Sequence, residues 1–202
     1  MSIQEIHISP ELHDRAQTLM LHGIGFVTGD PTIKISNPYV FHPGMQVTVS
    51  EPGDSKWIYM MLPINLGSLI TNVSIAQHRV GIESKISIIR LIEQKIPISA
   101  TVIHDYKIHD FKISDNIPST GSISTGCSVI VKNSILLKVC MDFLNTEDII
   151  EFGSVEIKYI PDYASLAKVN KSDKEKFNGN SDKKNKRQSF TKLLFNKQKR
   201  NF

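Results

Sequence analysis

The sequence predicts an all-β fold: an antiparallel two-sheet β-sandwich, jelly-roll-like, over about residues 16–162, followed by a disordered basic tail over 163–202. Three observations predict it. Apolar and polar residues alternate with period two in about ten short runs. Gly, Pro, Asn and Asp punctuate those runs at short, regular intervals. Helical periodicity is almost absent before residue 189, and no internal repeat suggests a propeller or solenoid.

Residues 1–15 form an N-terminal arm, in which Ile3, Ile6 and Ile8 suit a short edge strand stopped by Pro10. Leu19–Val27 (LMLHGIGFV) reads as a strand whose glycines, Gly23 and Gly25, mark a bulge or a close backbone approach. Gly29-Asp30-Pro31 is a turn and Thr32–Ser36 a short strand. Asn37-Pro38 and His42-Pro43-Gly44 break the next connection.

The stretch Lys56–Pro63 (KWIYMMLP) holds the only tryptophan, and six of its eight residues are large and apolar. Before it, Met45, Val47 and Val49 alternate with polar residues, and Glu51–Ser55 (EPGDS) is a strong turn. A hairpin is therefore expected, with Val49 opposite Trp57, Val47 opposite Tyr59 and Met45 opposite Met61. That register puts Trp57, Tyr59 and Met61 in the core; a shift by one residue would reverse the faces.

Further strands are expected at Leu69–His78, Ser84–Ile92, Ile98–His104, Tyr106–Ile113, Ser122–Val131, Ile135–Phe143, Ile149–Phe152 and Val155–Ile160. If Asn133-Ser134 is a two-residue turn, Cys127 falls opposite Cys140, where a reversible cross-strand disulfide is geometrically conceivable. Leu137, Val139, Met141 and Phe143 form the apolar stripe of their strand, so Cys140 points to the other side with Lys138 and Asp142. Two small unbridged thiols in a reducing compartment are the simpler expectation.

Few residues point to catalysis. His22, His42, His78, His104 and His109 are scattered, and His104-Asp105 and His109-Asp110 form a double pair, but no metal-ligand spacing is met. There is no GxSxG, P-loop or GxGxxG motif. Gly121–Gly126 leads into a strand and offers phosphate no helix N-terminus. Glu147, Asp148 and Glu151 read as a solvated acidic loop. No metal and no cofactor is expected.

Charge divides the chain. Residues 163–202 carry twelve Lys/Arg and three Asp/Glu, a net +9, whereas the first 162 residues carry twelve and seventeen, a net −5. The tail is too polar to offset its chain entropy. Within it Ser189–Phe195 places Phe190, Leu193 and Leu194 at helical spacing, a short amphipathic segment. Around it stand Lys183, Lys184, Lys186, Arg187, Lys192, Lys197, Lys199 and Arg200. Such a tail suits an anionic partner, nucleic acid or a membrane surface, or a protein groove. It also suits a purely solubilising role. The N-terminus lacks a signal-peptide core and no run is long enough for a membrane helix, so a cytoplasmic protein is expected.

Leu21-His22-Gly23, then Ser55-Lys56-Trp57 running to Leu62-Pro63, then Val73-Ser74-Ile75 and Gly126-Cys127-Ser128-Val129, resemble an uncharacterised microbial β-sandwich family, a domain of unknown function. The resemblance spans about Leu19 to Ile160. It implies the fold and no reaction.

The leading functional expectation is a non-catalytic binding or adaptor module whose body presents a sheet face or loop end and whose tail tethers it. A small enzyme using His22, His104, Asp105 or His109 at one end of the sandwich, and a structural subunit associating through an edge strand, are the competing classes.

Overall fold

Two sheets account for most of the described backbone in the computed structural model, which describes residues 14–37, 44–81, 84–108 and 120–166. The chain divides into two units, 1–163 and 164–202, and both sheets belong to the first. Ten strands occur among the described residues: β1 Gln17–His22, β2 Ile33–Ser36, β3 Met45–Val49, β4 Gly53–Leu62 and β5 Leu69–Val80, then β6 Lys85–Lys95, β7 Ser99–Lys107, β8 Thr120–Ile130, β9 Ser134–Phe143 and β10 Ile149–Ile160. The larger sheet runs β2-β3-β10-β5-β8, with β1 also on β10; the smaller runs β4-β9-β6-β7. Each of these pairings is antiparallel. The expected all-β two-sheet sandwich is the observed fold.

The core lies between the sheets and is built from alternate residues of each strand, as a period-two pattern requires. Ile58, Met60 and Leu62 of β4 join Ile89 and Leu91 of β6 and Leu137 and Val139 of β9. Across from them stand Met45, Val47 and Val49 of β3, Val73 and Ile75 of β5, and Val155 and Ile157 of β10. Phe26 enters from the segment after β1 and meets Phe152 with ring centroids 5.4 Å apart.

Several expectations are corrected by the pairing. The hairpin between Met45–Val49 and Lys56–Leu62 does not form. β3 pairs with β2 and β10, and β4 with β9. The intervening turn is a corner that carries the chain from one sheet to the other. Its bend is taken by Gly53 at φ 152° and Ser55 at φ 61°, where the β4–β9 register shifts. The two strands still bury their apolar faces toward each other, but from opposite layers. Ile58, Met60 and Leu62 are therefore core, while Trp57, Tyr59 and Met61 face outward.

The turn at Asn133-Ser134 is also a corner between sheets: β8 pairs with β5, and β9 with β4 and β6. Cys127 and Cys140 consequently lie in different sheets as free thiols, not as cross-strand neighbours. Two expected pairs of strands are single strands with register shifts. Ile149–Ile160 is continuous through Gly153, with the shift between Phe152 and Val155. Ser99–Lys107 continues through Asp105, and 109–113 lie outside the described residues. Among the acids of the acidic loop only Glu147 is exposed: Asp148 and Glu151 are buried, Asp148 accepting from Ser84 Oγ at 2.5 Å and Glu151 from the Gly44 N–H at 3.0 Å. Gly23 is a close approach, since a Cβ there would overlap the Phe152 carbonyl oxygen.

Candidate functional site

The outward side of the smaller sheet carries the least ordinary set of side chains in the described residues. Antiparallel register stacks them in rows. One row is Tyr59, Lys138, Arg90 and Asp105, contributed in turn by β4, β9, β6 and β7. The row beside it is Trp57, Cys140, Ile88 and Lys107, and the row on the other side begins Met61, Leu136, Ile92. Adjacent strands are about 4.8 Å apart, so one row is a nearly flat strip of polar and aromatic groups.

Trp57 organises the strip. The Lys138 ammonium stands 4.9 Å from its ring centroid and the Arg90 guanidinium 5.1 Å. Arg90 is two strands from Trp57, so the indole reaches across β9. Cys140, opposite Trp57 in the register, points outward yet is only 1% exposed. Arg90 also forks onto Asp105, donating from Nε at 2.9 Å and from Nη2 at 3.1 Å. The hydrogen bonds to Asp105 raise the Arg90 pKa further, so it is a permanent cation. Lys138 forms no salt bridge with a described residue.

The β4 edge is fixed by the chain before β2. Val27 and Tyr59 exchange two backbone hydrogen bonds of 2.9 Å, and Thr28 Oγ1 donates to the Trp57 carbonyl at 2.9 Å. Lys56 Nζ donates to Thr32 Oγ1 at 2.6 Å. Thr32 in turn donates its hydroxyl and its N–H to Asp30, holding that carboxyl below its usual range.

At the end of β4 the strip opens into a groove of about 870 Å³, lined by His22, Ile24, Met61, Leu66 and Asn133 among others. Three of its residues, Ile24, Met61 and Leu66, are large apolar side chains left more than half exposed. His22 Nδ1 accepts the Ile24 N–H at 3.1 Å and so caps the 3₁₀ turn Gly23–Gly25 at the rim. Asn133, also in the lining, hydrogen-bonds Glu93 and is the first cause that holds that carboxylate below its normal range.

The residues expected to do acid–base work are not brought together. His104 and Asp105 are neighbours in β7 and so point to opposite faces. His104 turns inward, where its Nε2 lies 3.0 Å from Thr125 Oγ1 of β8, and burial lowers its pKa. Asp105 turns outward to Arg90. His78 Nδ1 lies 2.6 Å from Thr120 Oγ1 on the larger sheet. His42, His109 and Asp110 lie outside the described residues. Among the described residues no group of three or more His, Cys, Asp or Glu could hold a metal ion, and no helix is long and apolar enough to cross a membrane. Burial pushes the Cys127 thiol up to about 12 and raises that of Cys140 as well, which suppresses thiolate chemistry at both.

All eleven tail residues expected to contact a partner, Lys183, Lys184, Lys186, Arg187, Phe190, Lys192, Leu193, Leu194, Lys197, Lys199 and Arg200, lie outside the described residues. Sequence reasoning missed the Trp57 cluster because it assigned Trp57 to the core. The signal that would have found it was the outward phase of Lys138, opposite to that of Leu137 and Val139. A tryptophan in the same phase on the neighbouring strand follows once β4 and β9 are paired.

No family model matches the chain, and no curated protein matches it. Among solved structures, the chain is similar to the C-terminal carbohydrate-binding module of a marine laminarinase from Zobellia galactanivorans, with 7% identity over 70% of this chain and 98% of that one and a TM-score of 0.43. A xylan-binding module from Roseburia intestinalis gives 11% identity over 70% and 94% of the two chains and a TM-score of 0.42. The N-terminal modules of a Clostridium thermocellum xylanase give 13% identity over 71% and 27% and a TM-score of 0.45. At such scores only the face's own residues can say what it binds.

Proposed function

We propose that this protein is a non-catalytic binding module that takes a saccharide chain along the outer face of its smaller sheet. The observation that supports this most is the outward placement of two aromatic residues on a four-stranded sheet, Tyr59 in one row with Lys138, Arg90 and Asp105 and Trp57 in the row beside it. A saccharide offers flat patches of C–H beside a rim of hydroxyls. Aromatic side chains supply rigid contact for the first, and fixed charged donors and acceptors hydrogen-bond the second. An open strip fits an extended chain, with the groove beyond Met61 as its continuation. The scattered histidines and the protonated thiols favour binding over turnover.

The test is a titration of the full chain against a panel of neutral and acidic oligosaccharides, with Trp57→Ala as the control. Binding to at least one class, lost in Trp57→Ala while the far-ultraviolet circular dichroism is kept, is the expected result. No binding to any saccharide refutes the reading.

The +9 charge of residues 163–202 supports a second role, electrostatic tethering of the module to an anionic surface. Deleting residues 168–202 should lower the affinity for anionic liposomes, and more so at low than at high salt. Unchanged liposome binding in the shortened chain would rule the tether out.

A further inference from the structure

Two cations stand over one indole, and among the described residues only one of them has a carboxylate. Each is attracted to the ring, but they also repel one another, and Trp57 cannot neutralise either. Asp105 occupies Nε and Nη2 of Arg90, leaving its Nη1 outside the fork. Lys138 has Trp57 and no salt-bridge partner among the described residues. The same outward rows carry Lys107 opposite Ile88, and Lys85 opposite Asp142. Asp142 is engaged by the Ser55 N–H at 3.3 Å and Ser87 Oγ at 3.0 Å. Four described cations thus share this face with two acids, both already hydrogen-bonded, in a body whose 162 residues have a net charge of −5. A positive strip maintained on an acidic body is suited to an anion.

We infer that Lys138 and Arg90 form an oxyanion site on the floor provided by Trp57, and that the saccharide is therefore an acidic one, bearing carboxylate or sulfate groups. The inference rests on the saccharide reading above and narrows it. Lys138 supplies a mobile point charge, and Arg90 Nη1 a donor whose direction is set by the fork onto Asp105. Tyr59, next in the row, and the carboxylate of Asp105 are placed to meet ring hydroxyls on either side. The two sources of charge differ in shape, a planar carboxylate or a tetrahedral sulfate, and the probes separate them.

The experiment titrates the full chain with oligogalacturonate, a sulfated galactan oligosaccharide and a neutral xylo-oligosaccharide, each at about 50 and about 300 mM NaCl. One acidic probe should bind at least about tenfold more tightly than the neutral one at low salt, with the advantage shrinking at high salt. Lys138→Gln should remove most of that advantage, weakening acidic binding by a larger factor than neutral binding. Arg90→Lys, which keeps the charge but loses the fork, should remove part of it. Melting temperatures of both variants guard against misfolding. Equal binding of acidic and neutral probes, or an advantage that survives Lys138→Gln, overturns the oxyanion site while leaving the saccharide reading intact. Binding of none of the three overturns both.

Discussion

The two outer faces of the sandwich are made by the same alternation of residues, yet they present opposite surfaces. On the larger sheet the outward rows are Ser74 between Glu156 and Ser124, Asn72 beside Lys158, and Ala76 beside Ser122. The β5 and β8 side chains there are short, and Ser124 and Asn72 are hydrogen-bonded to each other at 3.1 Å. On the smaller sheet the outward rows carry Trp57, Tyr59, Leu136, Ile88 and Ile92 with Arg90 and Lys138. A face that only has to meet water needs the first kind. Large aromatic and apolar groups on an open sheet, with unneutralised charge among them, mark a surface that meets something else.

The sharpest way to separate the faces is along β4 itself. Ile58→Ala should cost about 2–5 kcal/mol of folding stability by opening a cavity between the sheets. Its neighbour Trp57→Ala should cost much less stability and lose saccharide binding. Denaturant titration read beside calorimetry checks both. If Trp57→Ala proved the more destabilising, the indole would be structural and the comparison would fail.

A second effect is chemical. Cys140, opposite Trp57 in the register, is 1% exposed. In Trp57→Ala its thiol should react with a disulfide reagent at a rate at least about tenfold above that of the parent, since access limits thiol chemistry. Ser124→Ala, on the opposite face, should leave the rate alone. Equal reactivity in all three chains would mean that something other than the indole covers Cys140.

The smallest effect concerns the seam between the sheets. Burial lowers the His104 pKa from 6.5, so the folded state disfavours its charged form. Its contribution is present above the unfolded value and is lost as pH falls through 6.5 toward the lower folded value. The melting temperature should therefore decline more steeply below about pH 6.5 in the parent than in His104→Gln. Parallel curves would show that His104 is not the group responsible.

Most strands were legible in the sequence because burial on one face imposes period two on residues such as Met45, Val47 and Val49. Their partners were not. Glu51-Pro52-Gly53 and Asn133-Ser134 have the composition of hairpin turns, and the same residues also serve a corner between sheets. Nothing local distinguishes the two, because the choice depends on β10 and β9, which come much later in the chain. That error inverted the faces of β4 and moved Trp57 into the core. The cation cluster was equally hidden. Arg90 and Lys138 are ordinary outward charges in their own strands, and only the order β4-β9-β6 sets them over one ring.

The most direct measurement is a nuclear magnetic resonance titration of the labelled 22.7 kDa chain with the tightest-binding saccharide. Amide and side-chain shifts should cluster on Trp57, Tyr59, Arg90 and Lys138 and leave Asn72, Ser74 and Ser124 unmoved. Shifts centred on the larger sheet, with the Trp57 indole N–H unchanged, would contradict the account.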